Sequence, residues 1–250
     1  MSTRTAQTDH ARPSDEATPD SGAKVAVHVV LALLVSIATF ILFLFIREGI
    51  EDKSRSLTAT DNEILIWMSH HQAPFLTEAA RVLAFLGSPS TIAAVAVIGI
   101  LVGVFIPRVR GAAITLPVAI VGAGLLIEGV KLSFHRARPT AFTPLLHATG
   151  YSFPSGHSVG SVVVYGLLGY FAMHYFRRRS ARFAVGAVTV AFVLLVGVSR
   201  VYVGVHYPTD VLAGWSLGVP WLAGCILLHR RLARHYHKLG APLEPTPAGT

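Results

Sequence analysis

The amino-acid sequence predicts an all-α fold, a polytopic membrane bundle with six transmembrane helices. Apolar residues make up 52% of the 250 residues and charged residues only 14%. A soluble domain normally carries about 25% charged residues, so this composition indicates an integral membrane protein. Because an open sheet cannot cross lipid with unpaired backbone groups, the spans are predicted to be helices.

Six apolar stretches approach the length of about 20 residues that a helix needs to cross a bilayer. The second and fifth are short and need flanking residues to complete a span. The predicted spans are Val25–Ile46, Pro89–Ile106, Ala112–Val130, Ser158–Phe176, Phe183–Val198 and Val211–Leu228. Together they define one predicted membrane domain, residues 24–238. The flanking residues 1–23 and 239–250 are polar, and we expect both to be disordered tails.

Basic residues lie in the connections that follow the second and fourth spans and at the end of the sixth. They are Arg108, Arg110, Arg177, Arg178, Arg179, Arg182, Arg230, Arg231, Arg234 and Lys238. Since positively charged loops stay in the cytoplasm, both tails are predicted to be cytoplasmic and the protein to lie in the plasma (inner) membrane. The basic residues do not form one stripe with interleaved aromatics, so nucleic acid is not a predicted partner.

The loops on the opposite side, around residues 47–88, 131–157 and 199–210, should face the periplasm or the cell exterior. The first of them has helical patterns of its own. Thr60 and Glu63 fit a capping box that would begin a helix, and Pro74 interrupts the apolar pattern before it resumes. This segment is either a helix that lies in the outer interface or an ordinary packed connector.

Three blocks of polar residues lie on this outward side, each where an apolar run meets a loop. They are Lys131 with Arg138-Pro139, then Pro154-Ser155-Gly156-His157, then Ser199-Arg200 with His206 and Asp210. The blocks supply three cations, two imidazoles, one carboxylate and a glycine-containing turn. This set of groups is typical of a site that binds and transfers a phosphoryl group.

The cations suit the oxygens of a phosphate. Arg138 and Arg200 can each bind two oxygens with a planar fork, and Lys131 adds a point charge or is simply an interfacial lysine. Ser155 and Gly156 open the fourth span, where free N–H groups bind anions, although a turn that only caps the helix would have the same sequence.

His206 and Asp210 are the most reactive pair, because a neutral imidazole attacks phosphorus and a carboxylate fixes its tautomer. Two histidines and an Asp could also bind a metal ion. However, the blocks offer one carboxylate beside three cations, so we expect a site without metal or other cofactor. Glu128, one turn before Lys131, is predicted to pair with that lysine.

The three blocks resemble, in order and spacing, the motifs of the type 2 phosphatidic acid phosphatase family, which shares an active-site architecture with the vanadium haloperoxidases. The resemblance covers roughly residues 85–228. It implies an outward-facing site in which His206 forms a phosphohistidine, Asp210 orients it and His157 protonates the leaving group. The residues that would bind the phosphate are Lys131, Arg138, Ser155, Gly156 and Arg200.

The expected function is therefore hydrolysis of a lipid phosphate or diphosphate, such as undecaprenyl diphosphate or phosphatidic acid. The lipid substrate and the surrounding membrane lipids are the expected partners, and the sequence leaves the oligomeric state open. A phosphotransferase, or a haloperoxidase with bound vanadate, would use the same residues. A non-catalytic lipid-binding or transport protein is the remaining alternative, although the ionisable residues form no path through the spans.

Overall fold

The computed structural model describes residues 20–52, 54–106 and 111–239, and every regular element within them is an α-helix. The eight helices are α1 (Asp20–Glu51), α2 (Arg55–His70), α3 (Pro74–Leu86), α4 (Pro89–Phe105), α5 (Ala112–Phe134), α6 (Gly156–Tyr175), α7 (Arg179–Tyr202) and α8 (Pro208–Leu239). The predicted all-helical fold is confirmed. The predicted tails lie mostly outside the described residues, as do Arg108 and Arg110.

Five helices, α1 and α5 to α8, each contain a stretch long and apolar enough to cross a bilayer. Helices α3 and α4 pass the same test only together, and they are bent by 52° at the break between Leu86 and Pro89. Counting this bent pair as one broken span gives the six spans that the sequence predicts. The chain is a multi-pass membrane protein.

The side chains sort into a buried core and an apolar outer surface. Helix α6 packs against α4, α5, α7 and α8, and α1 packs against α8. Leu116, Val163 and Leu167 are fully buried in this centre, whereas Phe105 and Phe183 are 78% and 80% exposed. Large apolar side chains that face outward fit a lipid environment.

Helix α2 lies in the first outward loop, and α3 follows it up to the bend with α4. Helix α2 begins at Arg55 after Ser54, so Thr60 and Glu63 lie inside it and the predicted capping box is wrong. The physical reason is that residues 55–59 contain no Gly or Pro that would delay the helix. Both helices contact α7, and the backbone N–H of Ala73 donates to the Tyr202 hydroxyl at 3.1 Å. These contacts fit a packed connector, whereas Phe75 and Phe85 of α3, which are 80% and 66% exposed, fit a helix at the lipid interface.

The ends of four helices meet at one end of the bundle. Helices α5 and α7 finish there, and α6 and α8 begin there, because successive spans run in opposite directions. The irregular segment 135–155 lies over the α7–α8 turn, where the N–H of Leu145 donates to the Val203 carbonyl at 2.9 Å. In that turn Gly204 has a φ of +78°, which favours glycine, and its backbone faces the Phe142 ring. These helix ends carry all three polar blocks.

Candidate active site

A cavity of about 340 Å³ lies where the four helix ends meet. Six of the eight predicted site residues line it, namely Lys131, Arg138, Gly156, His157, Arg200 and His206. The other two, Ser155 and Asp210, lie behind this wall and are fully buried. Their backbones are joined, because the N–H of Ser155 donates to the Asp210 carbonyl at 3.0 Å. The fold thus brings the three blocks into one site.

The imidazole of His206 lies between a carboxylate and a guanidinium group. Its Nδ1 is 3.4 Å from Oδ2 of Asp210, and its Nε2 is 3.4 Å from Nη1 of Arg138. Since Arg138 can only donate, Nε2 is assigned as the acceptor and Nδ1 as the N–H that faces Asp210. In this tautomer the lone pair of Nε2 is on the side of Arg138 and the cavity.

The surroundings of His206 favour its neutral form. Burial lowers the pKa of His206 below its usual value, against the opposing effect of Asp210. The positive charges of Arg138 and Arg200 act in the same direction as burial. The ring is consequently uncharged at neutral pH, which is the state that a nucleophilic imidazole requires.

Arg138 is held rigidly by backbone carbonyls of the surrounding loops. Its Nε donates to Gly150 at 3.1 Å, its Nη2 to Thr149 at 2.7 Å and its Nη1 to Val205 at 2.8 Å. Burial lowers the pKa of Arg138, but an arginine stays charged at neutral pH. The guanidinium is therefore a fixed positive charge in the cavity wall.

Arg200 and Lys131 complete the cationic lining. Arg200, in the last turn of α7, is only 5% exposed, and its Nε has no hydrogen-bond partner among the described residues. A buried charged donor without a partner is costly, so this nitrogen favours binding of an anion. Lys131 lies 3.7 Å from Glu128, and the predicted pairing with that residue is confirmed.

The second block forms the start of α6. Ser155 is the N-cap, and its hydroxyl accepts from the N–H of Ser158 at 3.4 Å, whereas Gly156 lines the cavity. That Ser155 and Gly156 contact phosphate stays a prediction. His157 lies beside Gly87, where a Cβ would come within 3.2 Å of the ring. The bend between α3 and α4 thus leaves room for His157.

The sequence did not predict three further residues of the site, Arg136, Asp61 and Thr209. Arg136 forms ion pairs with Asp210 and with Asp61 of α2, and Thr209 donates to Asp61. Arg136 could have been found, since it lies two residues before Arg138 in the first block. Asp61 lies far from the three blocks in the sequence, and no pattern around it indicates that it belongs to the site. Among the described residues, no cluster of three or more metal-ligating side chains is present.

Comparisons with known proteins identify relatives of this chain. The model of the PAP2 superfamily matches residues 112–234. Phosphatidylglycerophosphatase B of Bacillus subtilis is 32% identical over 188 residues, which are 73% of this chain and 89% of that protein. The undecaprenyl-diphosphatase of Sulfolobus acidocaldarius is 38% identical over 125 residues, 46% of this chain and 54% of that protein.

A solved structure is similar to this chain over most of the helical bundle. The crystal structure of the first transmembrane PAP2 type phosphatidylglycerolphosphate phosphatase from Bacillus subtilis superposes with a TM-score of 0.70 at 28% identity. The superposition covers 84% of this chain and 98% of that one. This chain therefore belongs to the PAP2 superfamily, as its three motifs predict, and is a phosphatase of that family.

Proposed function

We propose that this protein is a lipid phosphate or diphosphate phosphatase that works without metal through a phosphohistidine at His206. The observation that carries the proposal is the cavity wall, which holds three cations together with the imidazoles of His157 and His206 around one space, and His147 lines the same cavity. The unpartnered Nε of Arg200 is a donor suited to a phosphate oxygen. The named relatives are membrane phosphatases of lipid phosphates and diphosphates.

In the first step, Nε2 of His206 attacks phosphorus while Lys131, Arg138 and Arg200 neutralise the phosphate oxygens. The bond from phosphorus to the leaving oxygen breaks, and its electron pair stays on that oxygen. Protonated His157 gives its proton to the leaving oxygen. Asp210 stabilises the positive charge that develops on the His206 ring, as an orienting carboxylate does in a catalytic triad.

In the second step, water attacks the phosphorus of the phosphohistidine. Neutral His157 takes a proton from that water, and the bond between phosphorus and Nε2 breaks. The electron pair returns to His206, and inorganic phosphate leaves. His157 is thereby protonated again, so the cycle balances with acid and base roles on the same residue.

A lipid substrate is supported by an apolar groove beside the cavity. This groove, of about 220 Å³, is lined by residues of α4, α5 and α6. It shares Pro89, Lys131 and Gly156 with the cavity. A phosphate held by the cations would therefore have space for the first part of an apolar chain next to it. Undecaprenyl diphosphate, phosphatidic acid and phosphatidylglycerophosphate all fit this description.

The site is proposed to face the periplasm or cell exterior of the plasma (inner) membrane, with both termini in the cytoplasm. Support comes from three basic residues at the end of the bundle opposite the cavity, namely Arg177 and Arg178 between α6 and α7 and Arg179 at the start of α7. By the positive-inside rule, that end is cytoplasmic.

The first experiment measures phosphate release from a panel of lipid phosphates and diphosphates by purified protein in detergent with a metal chelator. We expect release with wild type, and release below 1% of wild type, about the level expected for loss of a nucleophile, with His206→Ala. The control is His70→Ala, which removes an exposed histidine on the same side of the bundle. Substantial release by His206→Ala, or complete loss with the chelator, would overturn the proposed mechanism.

A further inference from the structure

A charged network lies behind His206, on the side of the ring away from the cavity. Arg136 contacts Oδ1 of Asp210, and its Nη2 lies 2.7 Å from Oδ2 of Asp61. Asp61 is 1% exposed and Asp210 is fully buried. The remaining oxygen of Asp210, Oδ2, faces His206. Arg136 thus bridges two buried carboxylates, and one of them is the partner of the nucleophile.

Asp61 reaches this network from α2 and is tied to the start of α8. It accepts from the backbone N–H of Thr209 at 3.0 Å and from the Thr209 hydroxyl. Arg136 also donates to that hydroxyl at 2.8 Å, and its guanidinium lies 4.1 Å from the centre of the Tyr207 ring. Both terminal nitrogens of Arg136, both oxygens of Asp61 and the Thr209 hydroxyl therefore have defined partners.

The charges of this network explain why an arginine is needed at its centre. Two buried carboxylates without a cation would be strongly unfavourable. Burial opposes the charge on Arg136, but Asp210 and Asp61 outweigh it and raise the pKa of Arg136. A planar fork can donate to two carboxylates at once, whereas a lysine offers one point charge.

We propose that Arg136 is a positioning residue for the His206–Asp210 pair, and that Asp61 of α2 holds Arg136 in place. Arg136 holds Oδ1 of Asp210, while Oδ2 accepts from the Tyr207 backbone N–H at 2.9 Å and faces Nδ1 of His206. Arg136 and the Tyr207 N–H thus fix the rotation of the carboxylate together. This inference rests on the proposed function, since it assigns a role in the same reaction. It makes α2, which carries none of the three motifs, part of the catalytic machinery.

The charged and titratable groups around His206 come from several elements. They are Asp61 on α2, Lys131 on α5, Arg136, Arg138 and His147 in the following segment, His157 on α6, Arg200 on α7, Tyr207 in the α7–α8 turn and Asp210 on α8. Of these groups, only Arg136 and Asp61 are changed in the test below, so the cationic cavity wall stays intact.

The test compares kcat and KM for the preferred lipid phosphate in Arg136→Met, Arg136→Lys and Asp61→Asn. We expect kcat to fall about 100-fold in Arg136→Met, as for a misplaced reacting group, with KM little changed. Arg136→Lys should recover part of the loss. The control is Arg81→Met, which removes an arginine with a 49% exposed side chain on α3 and should leave kcat unchanged.

The pH profile of kcat/KM separates positioning from general damage. Arg136→Met leaves two carboxylates uncompensated, so the acidic limb should move to higher pH because protonated His206 is favoured. Asp61→Asn removes a negative charge, so the limb should move to lower pH. Asp61→Asn should also have no further effect on kcat in the Arg136→Met background, if it acts through Arg136.

Stabilisation by inorganic phosphate shows whether each variant still folds and binds. The increase in Tm that phosphate gives wild type should persist in all three variants, because the cavity cations are unchanged. If Arg136→Met does not fold, Asp61→Asn carries the same test. The inference would be overturned if the acidic limb of kcat/KM lay at the same pH in wild type and all variants, or if kcat of Arg136→Met equalled that of wild type. Failure of the proposed function is a different result, namely a wild type without phosphate release.

Discussion

Arg136 and Arg138 are two residues apart, yet their guanidinium groups lie on opposite sides of the His206 imidazole. Arg138 approaches Nε2 at 3.4 Å and lines the cavity. Arg136 instead binds Asp210, the residue that faces Nδ1. One short loop segment therefore supplies one arginine to the cavity wall and another to the partner of His206. If the proposed roles hold, loss of Arg138 should change KM and loss of Arg136 should change kcat.

The lowered pKa of His206 predicts activity that persists into mildly acidic solution. An unperturbed histidine has a pKa of about 6.5 and loses its lone pair below it. Because burial lowers the pKa of His206, the neutral form persists as pH falls through 6.5, and it is lost only when pH passes the lowered value. We expect the acidic limb of kcat/KM below pH 6.5, measured with a soluble phosphate substrate. A limb at or above 6.5 would contradict this assignment.

Gly214→Ala should lower both stability and activity, because α8 approaches the start of α6 at this glycine. A Cβ at Gly214 would lie 2.7 Å from the Cβ of Ser158 and 2.9 Å from the carbonyl oxygen of Ser155. Overpacking of this kind costs about 1–3 kcal/mol, so Tm in detergent should fall along with phosphate release.

Gly224→Ala is the matched control on the same helix, since a Cβ there meets nothing within 4 Å. Alanine is favoured over glycine inside a helix by about 1 kcal/mol, so this variant should be as stable as wild type or more stable. Equal Tm values for the two variants would show that the close contact between α8 and α6 does not limit stability.

The orientation is tested by cysteine labelling in intact cells. Cys225, the only cysteine, is replaced by alanine, and a single cysteine is then introduced as Thr143→Cys or Ser180→Cys, both at exposed positions. A membrane-impermeant maleimide should label Thr143→Cys directly and Ser180→Cys only after permeabilisation. The reverse pattern would place the cavity in the cytoplasm.

The spans were predictable because lipid imposes a length and an apolar composition that a single sequence displays directly. The start of α2 was not. That helix is amphipathic and partly buried, with Asp61 and Leu65 inward, and its polar first turn resembles a loop in the sequence. Likewise, the sequence predicts an isolated span at residues 89–106, whereas the short α4 passes the membrane test only with α3.

Six residues of the cavity wall were predictable because each lies in a short motif with fixed spacing. The wall also contains Pro89, His147, Ala148 and Thr149, which lie in no motif and were not predicted. Ser155 shows the limit of that approach, since its type allows either phosphate binding or helix capping, and only the structure shows the cap. The pairing of Arg136 with Asp61 could not be predicted from the sequence. Their pairing joins residues 75 positions apart, and no local pattern indicates which of several acidic residues in the outward loop turns inward.

The ion pair between Arg136 and Asp61 also sets the size of the catalytic unit. All eight motif residues lie within residues 112–234, the part that the family model matches. Asp61 lies outside that part, on α2. A chain reduced to the motif-bearing segment would keep every group that we propose to bind phosphate and would lose Asp61, the counter-charge of Arg136. The smallest fragment expected to be fully active is therefore longer than the segment with the three motifs, and it includes α2.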